Sequence, residues 1–164
     1  TQDMQHTSQD LIMFSRIGPR GNDSTKRPIF SQNRDVSDDS YRLSYVSNNF
    51  EFQVGTTSAS SVQAAAPDNI STVRAEYIPA SDTAKLYIDG TLSASNNSLN
   101  SQATDFGILN EASLGAQITD NGSTPTVNNK LKADLYSFVL FSKTLTDTQI
   151  KNIEYTLRSQ SGDT

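Results

Sequence analysis

The chain has 164 residues, a formal net charge of −5 and no cysteine. That length suits one domain with a core of its own, and the lack of cysteine excludes disulfide staples, thiolate metal sites and a thiol nucleophile. The acidic balance disfavours nucleic acid and anionic membrane as partners, and no apolar run approaches the ~18 residues of a membrane span. Ser, Thr and Asn make up about a third of the chain, well above ordinary usage. Such a composition suits short strands with polar outer faces and many turns.

Residues 1–9 are polar and are expected to be extended or mobile. Leu11 to Ile17 has strand composition, and Gly18-Pro19-Arg20-Gly21-Asn22 breaks it. Pro28 to Gln32 reads as a short strand, with Pro28 at its start or on an edge. Asn33 to Ser40 reads as a polar loop. Tyr41 to Val46 and Phe50 to Val54 alternate as a hairpin around Ser47-Asn48-Asn49, with one face buried. The Ser- and Ala-rich run Gly55 to Asn69 is expected to be a loop.

Ile70 to Ile78 and Thr83 to Ile88 form the next strand pair. Asp89-Gly90 is a type I′ turn signal, with Thr91 to Ala94 returning as a strand. Ala112 to Gln117 reads as a strand and Asp120 to Asn129 as a loop. Leu131 to Phe141 is the longest strand and is apolar on both faces, as a central strand covered on both sides would be. Leu135, Val139 and Phe141 are assigned to one face, and Tyr136, Phe138 and Leu140 to the other. Thr146 and Gln149 form a capping box for a helix to about Arg158, whose Ile150, Ile153 and Leu157 share a face. Leu86, Ile88, Leu114, Leu135, Val139, Ile150 and Ile153 are the expected core. Many short strands, frequent turn signals and one short helix predict an antiparallel β-sandwich or jelly roll.

Three motifs in order carry a family resemblance: Leu86-Tyr87-Ile88-Asp89-Gly90, Leu114-Gly115, and Leu145-Thr146-Asp147-Thr148-Gln149-Ile150. They are similar to the "lkLYvDG" strand, the "iG" strand and the helix entry of laminin-G-like and pentraxin-like domains in the concanavalin A-like lectin/glucanase superfamily. The likeness runs from about Leu11 to Leu157. It implies an all-β concanavalin A-like jelly roll over residues 1–164, forming one domain of a larger secreted, adhesin or phage tail protein. The family's tryptophan and edge cysteine pair are absent. Its first strand, which precedes the equivalent of Leu11, has no counterpart here. The resemblance therefore implies that the domain lacks that strand or borrows it from a strand-donating partner.

The chemistry points away from catalysis. The one histidine, His6, lies in the polar N-terminal run, whereas a Ser-His-Asp triad needs an oriented imidazole. The carboxylate spacing of glucanases, Glu-x-Asp-x-x-Glu or Glu-x-Asp-x-Glu on one strand face, is absent around Glu51, Glu76, Glu111 and Glu154. The resemblance places Tyr41, Arg42, Tyr45, Gln53, Arg74 and Glu76 on a concave sheet as ligand-binding candidates. It also implies a calcium site at Asp38, Asp39, Asp120, Asn121 and Asn128, which are otherwise ordinary turn formers. The expected function is non-enzymatic binding of a polysaccharide or cell-surface glycan, at an extracellular, cell-surface or virion-surface location. The alternatives are a structural virion or fibre assembly domain, and a glycoside hydrolase or lyase of the same fold. Other domains of a parent protein are further candidate partners.

Overall fold

The computed structural model describes residues 10–20, 24–33, 39–55, 61–99, 111–119 and 126–159. Their elements are β1 (Leu11–Pro19), β2 (Arg27–Asn33), β3 (Asp39–Val46), β4 (Asn49–Val54), β5 (Ser61–Ala65) and β6 (Ser71–Ile78). They continue as β7 (Thr83–Ile88), β8 (Thr91–Asn96), β9 (Glu111–Leu114), β10 (Gln117–Thr119), β11 (Thr126–Asn128), β12 (Ala133–Ser142) and α1 (Asp147–Ser159). Two five-stranded sheets run in the orders β12-β1-β6-β7-β8 and β5-β4-β3-β2-β9, and β10-β11 forms a small ribbon. Every strand pairing among these elements is antiparallel.

Alternation decides which side chains meet between the sheets. Leu11, Met13, Ile17, Val73, Ala75, Tyr77 and Leu86 come from the first sheet, and Phe30, Tyr41, Leu43, Phe50, Phe52 and Val54 from the second. The outer face of the first sheet is apolar as well. Ile12 and Phe14 pack there with Leu145 and Leu157, against Val139, Phe141, Ile150 and Ile153. The helix α1 covers this face, which is why β1 and β12 read as apolar on both sides. The helix starts as expected: Thr146 Oγ1 accepts the Gln149 N–H at 3.3 Å, and Gln149 Oε1 accepts the Thr146 N–H at 2.9 Å.

Both two-residue hairpins turn with positive φ at each central residue, as type I′ requires: 49° and 60° at Ser47-Asn48, 51° and 83° at Asp89-Gly90. The second turn lies against α1. A Cβ on Gly90 would stand 3.0 Å from Glu154 Oε2, so glycine answers both the backbone angle and the close approach.

Five expectations are corrected. Residues 61–65 form a strand, because Val62 and Ala64 alternate into the core beside β4. Residues 126–128 form β11 rather than loop. β12 lies at an edge of its sheet; its two-sided apolar pattern comes from the core below and α1 above. Leu114 is 55% exposed rather than buried, since it ends an edge strand just before the Gly115 turn. Finally, the faces of β12 divide differently: Leu135, Phe138 and Leu140 join the core, and Val139 and Phe141 join the helix side.

Candidate functional site

That last difference has a local cause. Along β1, Arg16 pairs with Ser137 and the next residue, Ile17, with Leu135. Tyr136 is thus the extra residue of a β-bulge, a device that re-aims one side chain and is common at sheet edges and beside sites. Tyr136 is 51% exposed. It lines an open crevice of about 650 Å³ with Gly18, Pro19, Arg20, Asp68, Asn69, Ile70 and Asp134. That volume lies within the range of small-ligand sites.

Three neighbouring strand ends build the crevice. β1 ends in Gly18 and Pro19, which pair with Asp134 and Ala133. Arg20 then donates its backbone N–H to Lys132 O at 3.1 Å. Its Nε and Nη2 both lie 2.6 Å from Asp134 Oδ2. The third wall is the entry to β6. Buried Arg16 donates to Ile70 O at 3.2 Å, and Ser71 Oγ donates to Asn69 O at 3.3 Å, which fixes the Asp68-Asn69-Ile70 segment. An exposed aromatic ring thus sits among planar polar groups: a guanidinium, two carboxylates and an amide.

A second, more enclosed concavity of about 390 Å³ lies beside α1. It is lined by Asp10, Ile12, Arg74, Glu76, Ile78, Lys85, Tyr87, Thr144, Leu145, Asp147 and Ile150. The Arg74 guanidinium carbon lies 3.6 Å from the centre of the Tyr87 ring. Arg74 also stands 3.3 Å from Glu76 and 3.4 Å from Glu154. The Glu154 contact is a charge contact only, because Arg74 Nε and Glu154 Oε1 lack hydrogen-bond geometry. Burial raises the Glu76 carboxyl above its usual range, although Arg74, Lys85 and the Tyr87 hydroxyl pull it back. Burial also raises the Tyr87 phenol, with Glu76 adding to the shift. This cluster pins the helix to the sheet.

No protein-family model matches the chain, and no curated protein matches it. Solved structures do. The native heptameric SAP-like pentraxin from Limulus polyphemus is 16% identical over 90% of this chain and 70% of its own, with a TM-score of 0.67. The CBM40 of Ruminococcus gnavus IT-sialidase, solved with alpha2,3 sialyllactose, is 12% identical over 90% of this chain and 84% of its own, again at 0.67. The binding domain of botulinum neurotoxin serotype C1 is 17% identical over 91% of this chain, at 0.60, but this chain spans only 37% of that one. The fold is the lectin-like jelly roll.

Within that jelly roll the six ligand candidates occupy three places. Tyr41 and Tyr45 lie in the core, where burial pushes the Tyr41 phenol far above its usual range. Their rings offer no face to a ligand. Arg42 and Gln53 share the outer face of the second sheet, with Arg42 Nη2 donating to Gln53 Oε1 at 2.5 Å. Lys26 Nζ donates to Glu51 at 2.9 Å and to Gln53 at 3.4 Å on that face. Arg74 and Glu76 line the concavity beside α1, on the opposite side of the molecule. Of the calcium candidates, Asp38, Asp120 and Asn121 lie outside the described residues. Asp39 is placed by its backbone pairing with Asn33, and Asn128 is exposed on β11 opposite Gln117. Among the described residues no three His, Cys, Asp or Glu groups converge as metal ligands. The sequence does not single out the crevice residues, because Tyr136 sits inside a largely apolar strand, where a bulge leaves no obvious mark.

Proposed function

We propose that this domain is a non-enzymatic carbohydrate-binding module, and that the crevice around Tyr136 holds the glycan. One observation carries the reading. A bulge presents a half-exposed aromatic ring beside a paired guanidinium and carboxylate, in an open crevice of about 650 Å³. The C–H face of a pyranose is apolar with weakly positive hydrogens, and it complements the electron-rich face of a tyrosine. Vicinal hydroxyls match the paired oxygens of Asp68 and Asp134 and the amide of Asn69.

Two structural neighbours point the same way. The CBM40 is described bound to alpha2,3 sialyllactose, and cell entry by botulinum neurotoxin type C is described as dependent on two ganglioside molecules. A recognition module of this kind fits a secreted, adhesin or phage tail protein working at a cell surface. Non-catalytic binding is further supported by the acids: Glu51 is tied to Lys26 and Glu76 to Arg74.

A glycan array probed with and without calcium tests the reading. Binding to at least one class of glycan is expected. A signal lost on chelation shows a calcium requirement, and its loss in Asp120→Ala as well assigns the ion to the proposed set Asp38, Asp39, Asp120, Asn121 and Asn128. Silence across the array in both conditions contradicts the proposal.

A further inference from the structure

The charge of the crevice is unbalanced. Its lining carries two carboxylates, Asp68 and Asp134, against one guanidinium, Arg20. That guanidinium is already committed, since its Nε and Nη2 both approach Asp134 Oδ2 at 2.6 Å. The other nearby guanidinium, Arg16, is buried behind the Ile70 wall, bound to Ile70 O and 3.8 Å from Asp89. Among the described residues, no lining group is left as a spare cation. A carboxylated sugar entering here would meet a guanidinium whose charge Asp134 already balances while facing the second carboxylate, Asp68, and like charges at contact distance repel.

A neutral sugar meets no such conflict. Its hydroxyls donate to the carboxylates and accept from the Asn69 amide, and its ring lies on Tyr136. The Arg20–Asp134 pair then acts as a rigid polar rim and stays intact. Arg20 is 72% exposed along its side chain and Asp134 39%, so the pair adds little stability and its position at the mouth is the feature that matters for recognition.

We infer that the crevice selects neutral, hydroxyl-rich glycans and rejects carboxylated ones, with Asp68 as the residue that sets the rejection. The inference rests on the reading of the crevice as the glycan site. It separates this chain from the neighbour solved with a sialylated ligand.

The test is an array and titration series with matched pairs that differ by one acidic sugar: lactose with α2,3-sialyllactose, and neutral hexose oligomers with uronic acid oligomers. Wild type, Asp68→Asn and Tyr136→Ala are compared. The neutral member of a pair should bind and the acidic member should bind weakly or not at all. Asp68→Asn should improve binding of the acidic member by about two- to fivefold, the size of one exposed charge–charge interaction. Rejection should also weaken as salt is raised, because screening shortens the reach of exposed charges. Acidic members binding as well as or better than neutral ones, with both lost in Tyr136→Ala, would overturn the selectivity and leave the site standing. No binding by any glycan, or binding indifferent to Tyr136→Ala, would remove the site itself and the selectivity with it.

Discussion

Gly18 lies beside Tyr136: a Cβ built on it would stand 3.8 Å from Tyr136 Cε2 and 3.2 Å from Ile70 Cγ1. Gly18 has no positive φ, so the backbone tolerates a side chain there, but the closer neighbour, Ile70 Cγ1, must give by a few tenths of an ångström and belongs to a side chain that is stiff at χ1. A valine at this position suits a strand and projects into the crevice. Gly18→Val should therefore fold at a cost of about 1–3 kcal/mol and lose glycan binding. Urea unfolding and titration with an array-selected glycan check the two halves. Unchanged affinity would mean that the crevice floor is not a contact surface.

The two cores differ from the surface in a way that truncation can read. Leu86 is fully buried between the sheets, whereas Leu114 is 55% exposed. Leu86→Ala should cost about 2–5 kcal/mol, and Leu114→Ala should stay within about 0.5 kcal/mol. Chemical denaturation of both variants measures this. Comparable losses at both sites would show that Leu114 is packed.

The helix entry has its own measurable contribution. Thr146 and Gln149 cap each other's backbone N–H groups, so Thr146→Ala should cost about 0.5–2 kcal/mol. Because α1 covers Ile12 and Phe14, the loss should appear in global unfolding rather than as local fraying alone. Amide exchange along α1 against the core strands separates the two.

Glu76 gives a pH dependence with a defined sign. Burial raises its carboxyl in the folded state, so the fold holds a proton that the unfolded chain has already released. Stability from this group is fully present below the ordinary glutamate value of about 4.3 and is lost as pH rises through the raised value. The stability of wild type relative to Glu76→Gln should accordingly fall as pH rises through that window. A difference that grows with pH would mean that the Arg74 pair, at 3.3 Å, outweighs burial.

The fold was legible because its signals are local and repeated. Alternation in Tyr41–Val54, the Asp89-Gly90 turn and the Thr146/Gln149 box each act within a few residues, and the structure contains all three. Long-range facts were not legible. Nothing in the apolar run Leu135–Phe141 says that β12 is an edge strand. The spacing of its core residues, Leu135 then Phe138 then Leu140, is three then two, which is the trace of a bulge. It is hidden because Tyr136 and Val139, which lie between them, are apolar or aromatic as well. The candidate site depended on this trace. Tyr41 and Tyr45 are ligand candidates through the resemblance, but strand phase sends both rings inward. Asp38, Asp120 and Asn121 lie outside the described residues, so the calcium expectation rests on the resemblance alone.

The central claim is that the bulged tyrosine makes the binding surface. The most direct measurement sets wild type beside Tyr136→Ala on the same glycan array, with matched unfolding transitions to show that both are folded. Tyr136 is half exposed, so the variant should keep its fold while its glycan signal disappears. A Tyr136→Ala protein that binds the same glycans with wild-type strength would contradict the account.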